Sequence, residues 1–157
     1  MKSGSVAVDQ SAAIELPEAA PGTWYLRVEP LSGSAVVSIA NRASAEIATA
    51  EEPLKLFNSH LTRYFHVPAG SRGFRIGYRD GGPDETARIQ VTSPLGRVAL
   101  SIEGNSRGTD YPVEVREGEA DGIWQLRIEP RQDMMLWLAG EATPYLSDHP
   151  ARVLRER

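Results

Sequence analysis

The sequence predicts an all-β protein, an antiparallel β-sandwich of jelly-roll or immunoglobulin-like kind. Three observations carry that reading. Apolar and polar residues alternate with period two along many short stretches, the pattern of strands with one buried and one solvated face. Clusters of Gly, Pro, Asn, Asp and Ser separate these stretches at the spacing of roughly 8–12 residues seen in packed antiparallel sheets. Finally, Gly22-Thr23-Trp24-Tyr25-Leu26-Arg27-Val28-Glu29-Pro30 recurs as Gly122-Ile123-Trp124-Gln125-Leu126-Arg127-Ile128-Glu129-Pro130, with six of nine positions identical.

Taken along the chain, the predicted strands are Ser5 to Asp9, Ala13 to Leu16, the first repeated stretch, Ala35 to Ala40, Arg63 to Val67 and Gly73 to Arg79. They continue through Thr86 to Thr92, Gly96 to Glu103, Tyr111 to Val115, the second repeated stretch and Met134 to Ala139. Alternation is clean in Ala87-Arg88-Ile89-Gln90-Val91. It places Trp124, Leu126 and Ile128 on one face and Gln125, Arg127 and Glu129 on the other. Trp24, Leu26 and Val28 fall on the matching apolar face, so both tryptophans are predicted to be core. Turns are predicted at Pro68-Ala69-Gly70, Asp80-Gly81-Gly82-Pro83, Ser93-Pro94-Leu95-Gly96, Gly104-Asn105 and from Gly118 to Gly122. Only Ala43 to Glu52 and Asp148 to Arg157 have room for short helices, and neither carries an apolar stripe.

The repeat extends both ways in register. Ala13-Ile14-Glu15-Leu16 lies against Pro112-Val113-Glu114-Val115, and Ala35 to Ala40 against Met134 to Ala139. The period is about 100 residues, so the chain holds about one and a half copies. Residues 54–157 are read as a complete sandwich unit, and residues 1–53 as the C-terminal half of a preceding one.

Composition narrows the function. A chain of 157 residues can bury a real core, and 14 Gly with 11 Pro is too little for a low-complexity chain. A net charge of −4 argues against a general binder of nucleic-acid phosphates. The longest apolar runs are far short of a membrane span, and Met1 to Ser5 lead into polar alternating sequence without a signal-peptide pattern. The absence of Cys removes thiol catalysis, disulfides and cysteine-ligated metals.

Tyr64-Phe65-His66-Val67-Pro68-Ala69-Gly70, then Gly73-Phe74-Arg75-Ile76, then Ser93-Pro94-Leu95-Gly96-Arg97-Val98, resembles bacterial pre-peptidase C-terminal-type and related jelly-roll accessory modules. Those modules read as an aromatic strand, a "VPAG" turn, a core strand and a later "P-x-G-x-V" hairpin. Pro21 to Val28 is similar to their late "G-T-Y-x-V" strand. The likeness covers about residues 60 to 130 and rests on turns and core positions. It implies a non-catalytic module of a larger exported bacterial protein, secreted or at the cell surface. Its partners would be neighbouring domains of the same polypeptide and, in some such modules, a polysaccharide. No functional residue carries over, and no cofactor is implied beyond a structural calcium ion.

The chemistry-bearing residues fit that picture. His60, His66 and His149 are the only histidines, and no two stand at metal-ligand spacing. No nucleophile elbow or phosphate-cradling loop is present. Glu29 and Glu129 each follow an arginine by two residues, which duplication explains better than the paired carboxylates of a glycosidase. Asp80, Asp84 and Glu85 sit in a Gly/Pro loop of the kind that can offer oxygens to calcium.

The sharper candidate is aromatic. Ser38 stands where the second copy has Trp137, so Trp137 is predicted to point away from the core. If strands 122–130 and 134–139 form a hairpin, Trp137 lies about opposite Arg127, and Met135 about opposite Glu129. Trp137, Arg127, Glu129 and Met135 then make one outer face. It would serve either as an interface to a neighbouring module or as a plane for a sugar ring.

Overall fold

The computed structural model describes residues 4–15, 22, 24–29, 35–39, 42–82 and 84–155. Two compact units divide the chain, Met1–Ser38 and Ile39–Arg157. The division falls earlier than 53/54 because residues 46 to 48 take part in the second unit's sheets. Glu46 and Ile47 pair with Leu146 and Tyr145, and Ala48 is fully buried.

In chain order the strands are β1 (Glu46–Ile47), β2 (Leu54–Phe57), β3 (Leu61–Val67), β4 (Gly73–Asp80) and β5 (Ala87–Thr92). They continue as β6 (Val98–Gly104), β7 (Arg107–Glu114), β8 (Gly122–Pro130), β9 (Asp133–Gly140) and β10 (Tyr145–Leu146), and one 3-10 turn follows at Pro150–Arg152. β2-β9-β4-β7 form one four-stranded sheet and β3-β8-β5-β6 another, with β1-β10 as a short extra pair. All pairings are antiparallel. The fold is an all-β antiparallel sandwich.

Its connectivity is simple. β1 pairs β10, β2 pairs β9, β3 pairs β8, β4 pairs β7 and β5 pairs β6. The chain is thus one long antiparallel ribbon, closed at the β5–β6 hairpin and rolled so that successive rungs fall in alternate sheets. Lateral pairs β4–β9 and β5–β8 join the rungs within each sheet. That is the jelly-roll arrangement of the two sandwich kinds predicted.

Rolling explains why the predicted hairpin of 122–130 with 134–139 does not form. β8 already has β3 and β5 on its two edges, and β9 has β2 and β4. The link between them crosses from one sheet to the other. Its backbone groups bond to other loops: Arg131 N–H to the Thr86 carbonyl, Asn58 N–H to that of Gln132, and Gly81 N–H to that of Asp133.

The core lies between the two four-stranded sheets. Trp124, Leu126 and Ile128 of β8 are fully buried, as are Phe65 and Val67 of β3 and Ile89 and Val91 of β5. The other sheet contributes Phe74, Ile76, Tyr78, Leu136 and Leu138. The ring of Phe74 meets Phe65 edge-on at 5.3 Å and Trp124 at 5.1 Å, which ties the sheets together. The buried Trp124 Nε1–H donates to the Glu119 carbonyl at 3.1 Å, so no polar atom of that side chain is stranded.

The earlier stretch behaves differently. Residues 24–29 form no strand and Trp24 is 58% exposed, which corrects its assignment to a core. The described residues of the other early predictions, 5–9, 13–15 and 35–39, also carry no strand; Leu16 and Ala40 lie outside the described residues. A strand needs edges to bond to. β8 finds them in β3 and β5, whereas residues 24–29 are paired in no sheet of the described residues. Of the two possible helices, 43–52 holds β1 instead, and 148–155 holds only the 3-10 turn.

Candidate functional site

The structure places the four predicted residues on outer faces but does not bring them together. Met135 and Trp137 alternate with the buried Met134, Leu136 and Leu138, so they lie on the outer face of β2-β9-β4-β7. Arg127 and Glu129 alternate with Leu126 and Ile128, on the outer face of β3-β8-β5-β6. The four predicted site residues therefore divide two and two between opposite outer faces. The cause is the link after β8, which changes sheet where a hairpin would have stayed.

On the first face Trp137 stands opposite Gly77 of β4, which in turn stands opposite Asp110 of β7. The indole occupies the space above the glycine. A Cβ at residue 77 would come within 2.0 Å of Trp137 Cε2 and Nε1 and 2.5 Å of Asp110 Oδ1. Glycine here is a steric requirement of the tryptophan. Trp137 Nε1–H donates to Asp110 Oδ1 at 3.0 Å, and Arg75 Nε–H donates to Asp110 Oδ2 at 3.2 Å. The indole is thus fixed by a hydrogen bond and a glycine seat while remaining partly exposed. Beside it Arg79 Nη2–H points at Met135 Sδ, 3.2 Å away.

The second face is a charge lattice. Arg127 meets Glu129 at 2.6 Å, Arg88 meets Glu103 at 3.0 Å, and Arg88 approaches Glu129 at 3.8 Å. Arg88, Gln90, Arg127 and Glu129 line a shallow hollow of about 150 Å³. Each charge in it already has a partner within the sheet. Glu129 stands in this lattice rather than facing a second free carboxylate.

The acidic loop is only partly assembled. Asp80 Oδ2 accepts the Ser106 N–H in a short bond, while Asp80 Oδ1 and Glu85 Oε2 are buried without a hydrogen-bond partner. Burial, and secondarily the charge of Glu85, raise the Asp80 carboxyl above its ordinary range against the opposing Ser106 bond. Asp84 is exposed. Among the described residues no group of three His, Asp or Glu is placed to hold a metal ion.

Two polar arrangements escaped sequence reasoning. His66 is buried, with Nε2 3.0 Å from Asp121 Oδ1. Glu119 is buried and forked by Arg97, at 2.8 Å from Nε and 2.5 Å from Nη2. It also accepts the Arg116 N–H at 2.9 Å. These bonds, the Arg97 pair first, hold the Glu119 carboxyl down at about 2. Both pairs join residues far apart in sequence, and no local pattern announces them. The Glu119 cluster is structural: it fixes the turn whose carbonyl receives Trp124.

Compared with known protein families, with curated proteins and with solved structures, the chain matches none.

Proposed function

We propose that this protein is a non-catalytic recognition module of a larger exported bacterial protein, and that the outer face of β2-β9-β4-β7 binds a polysaccharide. The observation that carries the proposal is the seating of Trp137. An indole held by Asp110 over Gly77, mostly buried yet partly exposed, gives a rigid apolar plane amid hydrogen-bonding groups. A sugar ring presents the complement, a C–H-rich face rimmed by hydroxyls. Little side-chain freedom is left to lose on binding, which favours affinity. The paired charges of the opposite face offer no comparable plane.

The test is tryptophan fluorescence. Trp124 is buried, so with Trp24 replaced by Phe the emission that iodide can quench belongs to Trp137. A polysaccharide that the face binds should protect it from iodide. The reading fails if no member of a panel of neutral and acidic polysaccharides protects, or if titration calorimetry shows a protecting polysaccharide binding Trp137→Ala as tightly as the parent.

A further inference from the structure

Next to Trp137 runs a row of cations. Lys55 of β2 is opposite Met135 of β9, Met135 is opposite Arg79 of β4, and Arg79 is opposite Arg107 of β7. Lys55, Arg79 and Arg107 are all exposed. Across three inter-strand gaps the row spans about 14 Å. It lies one pleat from the row of Trp137, Gly77 and Asp110, on the same outer face.

These cations differ from most of the sandwich's other strand arginines. Arg63, Arg75, Arg88 and Arg127 each have a carboxylate within ion-pair distance. Among the described residues, no ion pair involves Lys55, Arg79 or Arg107. Acids on this face are few. Asp110 is engaged by Arg75 and Trp137, Glu114 at the rim faces Arg116 at 3.3 Å, and Asp133 stands one row beyond Met135. Like charges directly opposite on neighbouring strands are destabilising, so Arg79 against Arg107 is an unfavourable pair unless an anion lies over it. A chain of net charge −4 nevertheless collects three such cations in one row beside the partly exposed Trp137.

We infer that the polysaccharide taken by this face is anionic, a carboxylated or sulfated chain. One sugar ring lies on Trp137 and the acidic groups of its neighbours lie along Lys55, Arg79 and Arg107. This inference rests on the binding role proposed above for the same face and adds the charge of the ligand.

The test is titration calorimetry of the full chain against polygalacturonate, dextran sulfate, neutral dextran and a DNA duplex, at low and physiological ionic strength. We expect polygalacturonate or dextran sulfate to bind more tightly than dextran and to weaken as salt rises. The Lys55→Ala/Arg79→Ala/Arg107→Ala variant should lose about tenfold or more in affinity, with its melting temperature kept. Arg88→Ala/Arg127→Ala, on the opposite face, should bind as the parent does. Carboxylated and sulfated polymers differ only in which arm responds, and either response supports the inference. Binding of dextran alone, unchanged in the triple variant, overturns the charge assignment and leaves the binding role standing. Binding of no polysaccharide overturns both. A DNA duplex bound as tightly as the acidic polysaccharides overturns the assignment to a glycan, and unchanged binding of an acidic polymer by the triple variant overturns the assignment to this face.

Discussion

Two nearly identical stretches meet different fates in this chain. Trp124, in Gly122 to Pro130, is fully buried at the centre of a four-stranded sheet, whereas Trp24, in the matching stretch from Gly22, is 58% exposed and its segment forms no strand. Six identical residues of nine do not decide the outcome; neighbours do. β8 is bonded on both edges, and its tryptophan packs on Phe74 and donates to the Glu119 carbonyl. β-propensity measures fit to a pleated, half-buried surface rather than an intrinsic preference, and here that surface is built by residues 61–67 and 87–92. What the two stretches share is one local contact. In both, the arginine and glutamate two apart meet at 2.6 Å.

The largest expected difference between them is in stability. Trp124→Ala should cost about 3–5 kcal/mol, the range for a buried large aromatic, while Trp24→Ala should stay within about 0.5 kcal/mol, as exposed substitutions do. Urea denaturation of both variants checks this. Comparable losses would mean that Trp24 also belongs to a packed core, and the contrast would collapse.

A second difference lies in the latch beneath Trp124. Glu119 precedes the second stretch, and Ala19 and Ala20 occupy the matching region of the first. Glu119→Gln removes one partner of a charge-assisted bond and should cost about 1–3 kcal/mol. Its carboxyl is held at about 2, below the ordinary 4.5. A depressed carboxyl gives stability that is fully present above the ordinary value and is lost as pH falls through the folded one. Thermal melts between about pH 5 and pH 2 should therefore show a decline that is shallower in Glu119→Gln. Equal slopes would remove Glu119 from the latch.

Much of this architecture was legible in the sequence. Period two located most of the major strands of the sandwich and assigned the faces of Trp124 and Arg127, because side-chain alternation is local. Pairing is not local. Nothing near Arg131 to Asp133 says whether the chain turns back or crosses between sheets, and that one choice separated Arg127 from Trp137. β2 was missed because four residues, Leu54 to Phe57, are too few for a period to stand out. The partners of Trp137 were hidden for the same reason. Gly77 and Asp110 are distant in sequence, and the glycine reads as an ordinary strand interruption until the indole above it is seen. A mismatch between copies, Ser38 against Trp137, was the only local signal of the site.

The smallest expected effect concerns the ion pair common to both stretches. Arg27–Glu29 is solvated, its side chains 85% and 65% exposed, and an exposed pair contributes roughly 0–1 kcal/mol. Arg127–Glu129 has the same 2.6 Å contact, but the Glu129 side chain is only 19% exposed and Arg88 also approaches it. Less screening and a second cation should make the later pair the stronger, though still within about 1 kcal/mol. A double-mutant cycle on Arg127 and Glu129 should give a coupling of about 0.5–1 kcal/mol that shrinks with added salt. The same cycle on Arg27 and Glu29 should give a value near zero. Equal couplings would show that the sheet around β8 adds nothing to a bond both stretches already make.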